Sequence, residues 1–290
     1  MTTSFIWTDG EVRPLAQAAP SALANGLHYG TGVFEGIRSY ATPHGARVFR
    51  LTEHLQRMRQ GADCISLPFD LDAVYRGTFD ALKANGLENA YIRPLTWFDG
   101  GGLGLDVDKL TPRSLVATMP WKSHLGDDAQ ATGVSLRTSS WRRNSRHALP
   151  PLKLCGNYVN SIIAKREATL HGYDEALFVD ADGSVCEATG ENVFMVCNGK
   201  ITAGKHPDAL PGITRATLIE LLQCEERTIT LDELREADEI FLTGTSAEVT
   251  AVPKFDGRTM APNPITREIS TLYQAVVHGH TETQRGWLHG

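Results

Sequence analysis

Apolar and polar positions repeat with two periods along this chain, and the period changes often. Phe5-Ile6-Trp7 ahead of the Asp9-Gly10 turn, Gly36 to Tyr40, and Arg47 to Arg50 read as short strands. A helix follows with Thr52 as the expected N-cap and Leu55 and Met58 on one face; a second runs from about Leu71 to Leu82 and stops at Asn85-Gly86. Two further strands, Tyr91 to Phe98 and Leu115 to Trp121, are separated by the glycine-rich stretch Gly100 to Gly104.

The polar stretch Lys122 to Gly133, carrying Asp127-Asp128, reads as an interdomain linker. Beyond it, Val134 to Ser139 is a strand, and Asn157 is placed to cap a helix that lasts to His171-Gly172. Strands Ala176 to Val179, Ser184 to Glu187 and Val193 to Cys197 are punctuated by Asp182-Gly183 and Asn198-Gly199, which predict hairpin turns. A helix starts near Ile213, Thr230 with Glu233 forms a capping box, Glu239 to Thr243 is a strand, and Ile265 to Val277 is a closing amphipathic helix. The expected division is a small α+β domain over 1–121, a linker over 122–133, and a larger domain over 134–290. Neither an internal repeat nor a dinucleotide-type glycine fingerprint is present.

Composition narrows the function classes. With 41% hydrophobic residues over 290 positions, the chain can build a substantial core shared between two lobes. A formal charge of -6 without any Lys/Arg cluster argues against nucleic acid or an acidic membrane as partner. The N-terminus lacks a charged segment followed by an apolar run, and no stretch reaches membrane-spanning length, so a cytoplasmic protein is expected. Cys64, Cys155, Cys186, Cys197 and Cys224 lack the paired spacing of a zinc site, so no metal is expected and the thiols read as reduced.

Candidate chemistry centres on Lys153, set among Leu152, Leu154 and Cys155. Partial desolvation lowers the pKa of an amine and makes it competent as a Schiff-base nucleophile and then as a general base, although a lone lysine among apolar residues also commonly snorkels to water. Tyr158 can hydrogen-bond the phenolic oxygen of pyridoxal phosphate, and a carboxylate such as Glu187 suits its ring nitrogen. A phosphate cup is available where Leu210-Pro211-Gly212 turns into the helix at Ile213 and Thr214, whose amides point at any anion placed there. Arg50, ending a strand-like run, is a second phosphate candidate.

These residues stand within a longer series of blocks: Gly30-Thr31-Gly32-Val33-Phe34-Glu35-Gly36-Ile37-Arg38, Phe49-Arg50-Leu51-Thr52-Glu53-His54, Ala90-Tyr91-Ile92-Arg93-Pro94-Leu95, Gly156-Asn157-Tyr158, Glu187-Ala188-Thr189-Gly190-Glu191-Asn192, Leu210 to Arg215, and Gly244-Thr245-Ser246-Ala247-Glu248. In this order they resemble the class IV aminotransferases, most closely the branched-chain amino acid aminotransferases. The resemblance spans nearly the whole chain. It implies a two-domain fold-type IV α+β enzyme, with mixed, barrel-like β structure in the larger lobe, acting as a homodimer or higher homo-oligomer.

The resemblance also implies roles. Lys153 would carry pyridoxal phosphate and move the proton from the substrate α-carbon; Glu187 and Tyr158 would hold the ring. Arg50, Ile213, Thr214 and Thr245 would hold the phosphate, and Leu210 and Gly244 would also line the cofactor site. Tyr91, Thr245 and Ser246 would face the substrate carboxylate and Arg93 the distal carboxylate of glutamate, while Phe34, Tyr29, Leu105 and Trp121 would cage a branched side chain. Burial of such a side chain contributes roughly 1.5–3 kcal/mol. His124 stands where many bacterial members have tyrosine; it is smaller and titrates near neutrality, which leaves room for other donors. D-amino acid aminotransferases, (R)-amine transaminases and aminodeoxychorismate lyases share the scaffold, and the Tyr91-Ile92-Arg93 pattern favours the branched-chain L-amino acid reading with 2-oxoglutarate as acceptor.

Overall fold

The computed structural model describes residues 3–120, 132–281 and 285–290. The chain divides into two compact units. Unit 1 comprises 1–121, Leu152–Asn157 and Val276–Gly290; unit 2 comprises Lys122–Pro151 and Tyr158–Ala275. Lys153 groups with unit 1, whereas the sequence reading places it in the larger domain over 134–290. The physical cause is backbone pairing. Leu154 bridges Val33, Phe34 donates its N–H to the Lys153 carbonyl at 3.2 Å, and Gly156 donates to Gly30 at 3.3 Å. The expected linker at 122–133 and the candidate site residues Trp121 and His124 lie almost wholly outside the described residues.

Unit 1 is built on one antiparallel sheet. In spatial order its strands are β18 (Leu288–His289), β5 (Gly45–Phe49), β4 (Ile37–Thr42), β6 (Ala90–Gly100), β7 (Thr111–Pro120), β1 (Phe5–Thr8) and β2 (Glu11–Pro14), with β3 (Gly32–Phe34) also paired to β6. Helices α2 (Leu51–Cys64) and α3 (Leu71–Asn85) follow the short α1 (Asn25–Tyr29). Their apolar faces, including Leu51, Leu55, Met58, Val74 and Ala81, bury with Ile37, Val48, Ile92 and Val116 of the sheet in one core. Asp70 caps α3 by accepting from the Ala73 amide, and Gly86 closes it in the left-handed region, as the Asn85-Gly86 signal predicts. Thr52 is not the N-cap of α2. That place is taken by Arg50 at φ 50°, which has no side-chain cap bond.

Unit 2 carries two five-stranded mixed sheets. One runs β10 (Val185–Ala188), β9 (Glu175–Val179), β8 (Ser135–Thr138), β16 (Lys254–Phe255), β17 (Arg258–Thr259). The other runs β13 (Glu225–Arg227), β12 (Lys200–Gly204), β11 (Asn192–Cys197), β14 (Glu239–Gly244), β15 (Glu248–Ala251). Parallel pairs β8·β9, β8·β16 and β12·β13 account for the mixed character, and among the described residues neither sheet closes, so the barrel-like expectation is corrected to open sheets. Buried residues of both, among them Leu136, Leu177, Val193 and Leu242, share a core. Asn198-Gly199 makes the expected tight hairpin, with positive φ at both residues. The capping box of Thr230 and Glu233 starts α6 (Leu231–Glu236), after α4 (Tyr158–Leu170) and α5 (Ile213–Leu222); α7 (Pro264–Val277) closes the series. Asn157 ends a 3-10 turn before α4, and its side-chain amide donates to the Leu152 carbonyl.

Candidate active site

Strands β3 and β6 and the Lys153 segment gather one group of side chains within unit 1. The Lys153 Nζ lies 4.6 Å from the centroid of the Phe34 ring, and the Arg93 guanidinium lies 4.7 Å from the same ring. An Arg93 Nη donates to the Tyr91 hydroxyl at 2.6 Å. Alternate residues of a strand share a face, so Tyr91 and Arg93 point the same way, as their spacing requires. Gly36 makes room for the Tyr91 phenol: a Cβ there would sit 2.3 Å from its oxygen. The result is an amine and a guanidinium set against one aromatic wall.

Glu35, next to Phe34 in the chain, belongs to a buried ionic group. Glu35 is fully enclosed; it accepts from the Arg57 Nε at 2.7 Å and an Arg57 Nη at 2.8 Å, and pairs with His54 Nδ1 at 2.8 Å. Burial pushes the Glu35 carboxyl up, but the Arg57 and His54 charges and hydrogen bonds overcome it and hold the pKa well below the usual carboxylate range. For His54, burial pulls the pKa down most; Glu35 opposes this, and the positive charges of Arg57 and Lys153 add to the lowering. His54 and Arg57 lie three residues apart on the buried face of α2, a spacing that could have been read from the sequence.

The remaining unit 1 candidates stand apart from this group. Arg50 is braced by Glu53 and Trp287, with Nε donating to Glu53 at 2.8 Å and the guanidinium 4.5 Å from the indole centroid. Tyr29 and Leu105 are exposed, at 49% and 85%. Asn25 ties their two segments together, donating to the Gly104 carbonyl and accepting from Thr31. Cys155 is no thiolate, since burial pushes its thiol up to about 11.

In unit 2 the signal is a carboxylate and a helix start. Glu187 is buried on β10 and held by Arg143, whose Nε donates to it at 2.7 Å; its second oxygen accepts from the Leu210 amide at 2.9 Å. Asn192 donates to the Leu210 carbonyl, so the 210–212 loop is pinned from both ends of the Glu187–Asn192 block. A Cβ on Gly212 would collide with the Asn192 side chain. Gly212 is the N-cap of α5 and offers no side-chain cap, while Ile213 and Thr214 behind it are buried. Gly244 ends β14 against Gly190 and Glu191, and Thr245 and Ser246 form the turn into β15. Tyr158 is the first residue of α4. Arg143 was not among the expected site residues; it is one of the adjacent basic pair Arg142-Arg143, and nothing local distinguishes the two.

Glu191, in the same block, is also buried. Burial raises its pKa most, and the nearby Glu175 charge raises it further, against the opposing effects of Lys165 and the Gly190 amide. A carboxyl with a raised folded pKa contributes stability that is fully present below the free value of 4.5 and is lost as pH rises through the folded value. Glu191→Gln is therefore expected to flatten the fall in melting temperature toward alkaline pH. Parallel pH profiles of the two proteins would contradict this.

The sequence model of the class IV amino-transferase family matches residues 32–255. The chain belongs to the class IV aminotransferases. It is 37% identical to the branched-chain-amino-acid aminotransferase of Pseudomonas aeruginosa, covering 97% of this chain and 95% of that one. To the enzyme of that name from Escherichia coli K12 it is 35% identical, covering 99% and 98%. Among solved structures, the T.th. branched-chain amino acid aminotransferase complexed with N-(5'-phosphopyridoxyl)-L-glutamate superposes with a TM-score of 0.93 at 38% identity, covering 99% of this chain and 98% of that one.

Proposed function

We infer that this protein is a pyridoxal phosphate-dependent aminotransferase that exchanges amino groups between branched-chain L-amino acids and 2-oxoglutarate. The observation that carries the reading is the placement of Lys153 and Arg93 against the one Phe34 ring, with Tyr91 bonded to Arg93. An apolar wall suits a branched side chain, and a guanidinium beside it suits the second carboxylate of 2-oxoglutarate, so one site can take both partners of the exchange. The near-full-length likeness to branched-chain enzymes supports the same assignment.

The donor chemistry fits the cofactor. Lys153 offers a primary amine, Glu187 a buried carboxylate for a protonated ring nitrogen, and the uncapped start of α5 a set of amides for a phosphate. When bound, pyridoxal phosphate supplies an electron sink that makes the substrate α-proton acidic. Lys153 then takes that proton as general base and returns one as general acid. Arg143 keeps Glu187 oriented, and the Leu210 amide ties that carboxylate to the phosphate loop, so ring and phosphate candidates form one braced block. Tyr158 is assigned to the phenolic oxygen. Arg50, Ile213, Thr214 and Thr245 are assigned to the phosphate, Leu210 and Gly244 to the lining of the cofactor site, and Tyr91, Thr245 and Ser246 to the substrate carboxylate. Trp121 and His124 remain assigned to the side-chain cage.

A homodimer belongs to the same proposal. Unit 1 exposes Leu27 at 70% beside Tyr29 and Leu105, and unit 2 exposes Val159 and Ile162 at 58% and 66% on one face of α4; each patch suits a second copy. No described helix is long and apolar enough to cross a membrane. A cytoplasmic setting, in which the five cysteines stay thiols, completes the proposal.

The test is a donor panel of L-leucine, L-valine, D-alanine and (R)-1-phenylethylamine, each with 2-oxoglutarate and with pyruvate. L-leucine with 2-oxoglutarate should exceed D-alanine by about a hundredfold or more in kcat/KM. Preference for D-alanine or the (R)-amine would overturn the assignment.

A further inference from the structure

We propose that Trp287 is a positioning residue for Arg50, so that the C-terminal segment sets the grip on the cofactor phosphate. The proposal rests on the assignment of Arg50 to that phosphate. Arg50 enters α2 in the left-handed region, at φ 50° and ψ 39°, a conformation that a non-glycine residue keeps only when its surroundings hold it. The tail does this from two directions. The Arg50 amide donates to the Trp287 carbonyl at 2.6 Å, and the Trp287 indole covers the guanidinium face at 4.5 Å.

Trp287 is itself held in place. Leu288 and His289 pair with Phe49 and Val48, adding an edge strand next to β5, and the Phe49 ring meets the indole edge-on at 6.0 Å. The tail is therefore fastened to the residues immediately preceding Arg50, and its aromatic plane is set at the same time as the Arg50 backbone. A guanidinium binds phosphate through a planar fork, so its orientation matters as much as its charge. Glu53 already accepts from Nε at 2.8 Å. With the indole on one face and Glu53 at one edge, the plane of the fork is fixed. Without the indole the side chain can turn and engage Glu53 more fully, which withdraws it from a phosphate.

The experiment compares pyridoxal phosphate with pyridoxal, which lacks the phosphate, in reconstitution titrations of the full-length protein followed by cofactor absorbance. The variants are Trp287→Leu, Trp287→Phe, Arg50→Gln and the Trp287→Leu/Arg50→Gln pair. Trp287→Leu should weaken pyridoxal phosphate by about tenfold relative to pyridoxal, the size of a partly desolvated cation–π contact. Trp287→Phe, which keeps an aromatic face, should retain most of the preference, and Trp287→Leu should have no further effect once Arg50 is Gln. Equal weakening of both ligands by Trp287→Leu, or no weakening, overturns the proposal and leaves Arg50's role standing. An unchanged ratio in Arg50→Gln overturns the phosphate assignment and the proposal together. Should Trp287→Leu fail to fold, Trp287→Phe decides: a small weakening confined to pyridoxal phosphate and absent once Arg50 is Gln supports the proposal, and equal weakening of pyridoxal phosphate and pyridoxal overturns it.

Discussion

Lys153→Ala is expected to lower turnover of L-leucine with 2-oxoglutarate by about 10⁴-fold or more, because the proposed function gives this one side chain the roles of cofactor nucleophile and of base at the α-carbon. The Lys153 Nζ lies over the Phe34 ring with Arg93 against the same ring, and the pairing of Leu154 with Val33 holds the segment there. Lys153→Arg separates chemistry from packing: it keeps a cation for the Phe34 ring but presents no primary amine, and it should be as inactive as the alanine variant. In both variants, borohydride treatment should no longer fix the cofactor to the denatured protein, while wild type is labelled. Turnover above about one hundredth of wild type in Lys153→Arg would refute the assignment, since a lost general base alone costs about 10²-fold at the least.

Pyridoxal phosphate asks for few residue types, so the sequence offers candidates by type: an amine among apolar neighbours at Lys153, a carboxylate at Glu187 and a glycine turn into a helix at Gly212. The structure adds that Glu187 is buried against Arg143 and that Gly212 stands at the start of α5. Helices α3 and α6 announced their ends through Asn85-Gly86 and Thr230/Glu233, which are local signals. The errors came where long-range pairing outweighs local preference. Thr52 has the better side chain for a cap, yet the helix starts after Arg50 because the amide of that residue is claimed by Trp287, more than two hundred positions along the chain. The Lys153 segment joined unit 1 through its bridge to Val33, which no periodicity could show. A barrel-like lobe was expected from closely spaced strands and hairpin turns, but spacing does not say whether sheet edges meet. Arg143 was missed for a related reason: its value lies in a partner 44 residues away.

Glu35 is the residue whose loss should cost the fold most. Its carboxylate is at 0% exposure and holds Arg57, itself 7% exposed, through two hydrogen bonds, with His54 at 1% completing the group. Removing one partner of a buried ion pair leaves the other charge without compensation, so Glu35→Leu and Arg57→Met are each expected to destabilise by about 3–5 kcal/mol. That is a large share of the roughly 5–15 kcal/mol that a folded domain commands. Glu35→Leu/Arg57→Met, which removes both charges, should be less unstable than the sum of the single variants, because neither charge is then stranded. Urea unfolding of the three variants measures the difference. The pH dependence has a definite sign as well. Both Glu35 and His54 have folded pKa values below their free values of 4.5 and 6.5, so each contributes stability that is present above the free value and is lost on acidification. The loss should begin below about pH 6.5, where the unfolded chain takes a proton that the folded His54 resists, and deepen below about 4.5, where the same holds for Glu35. His54→Gln should remove the first part of that fall and leave the second. Single variants within about 1 kcal/mol of wild type would mean that water or relaxation reaches this group and that it is not a rigid support for Phe34 and Gly36.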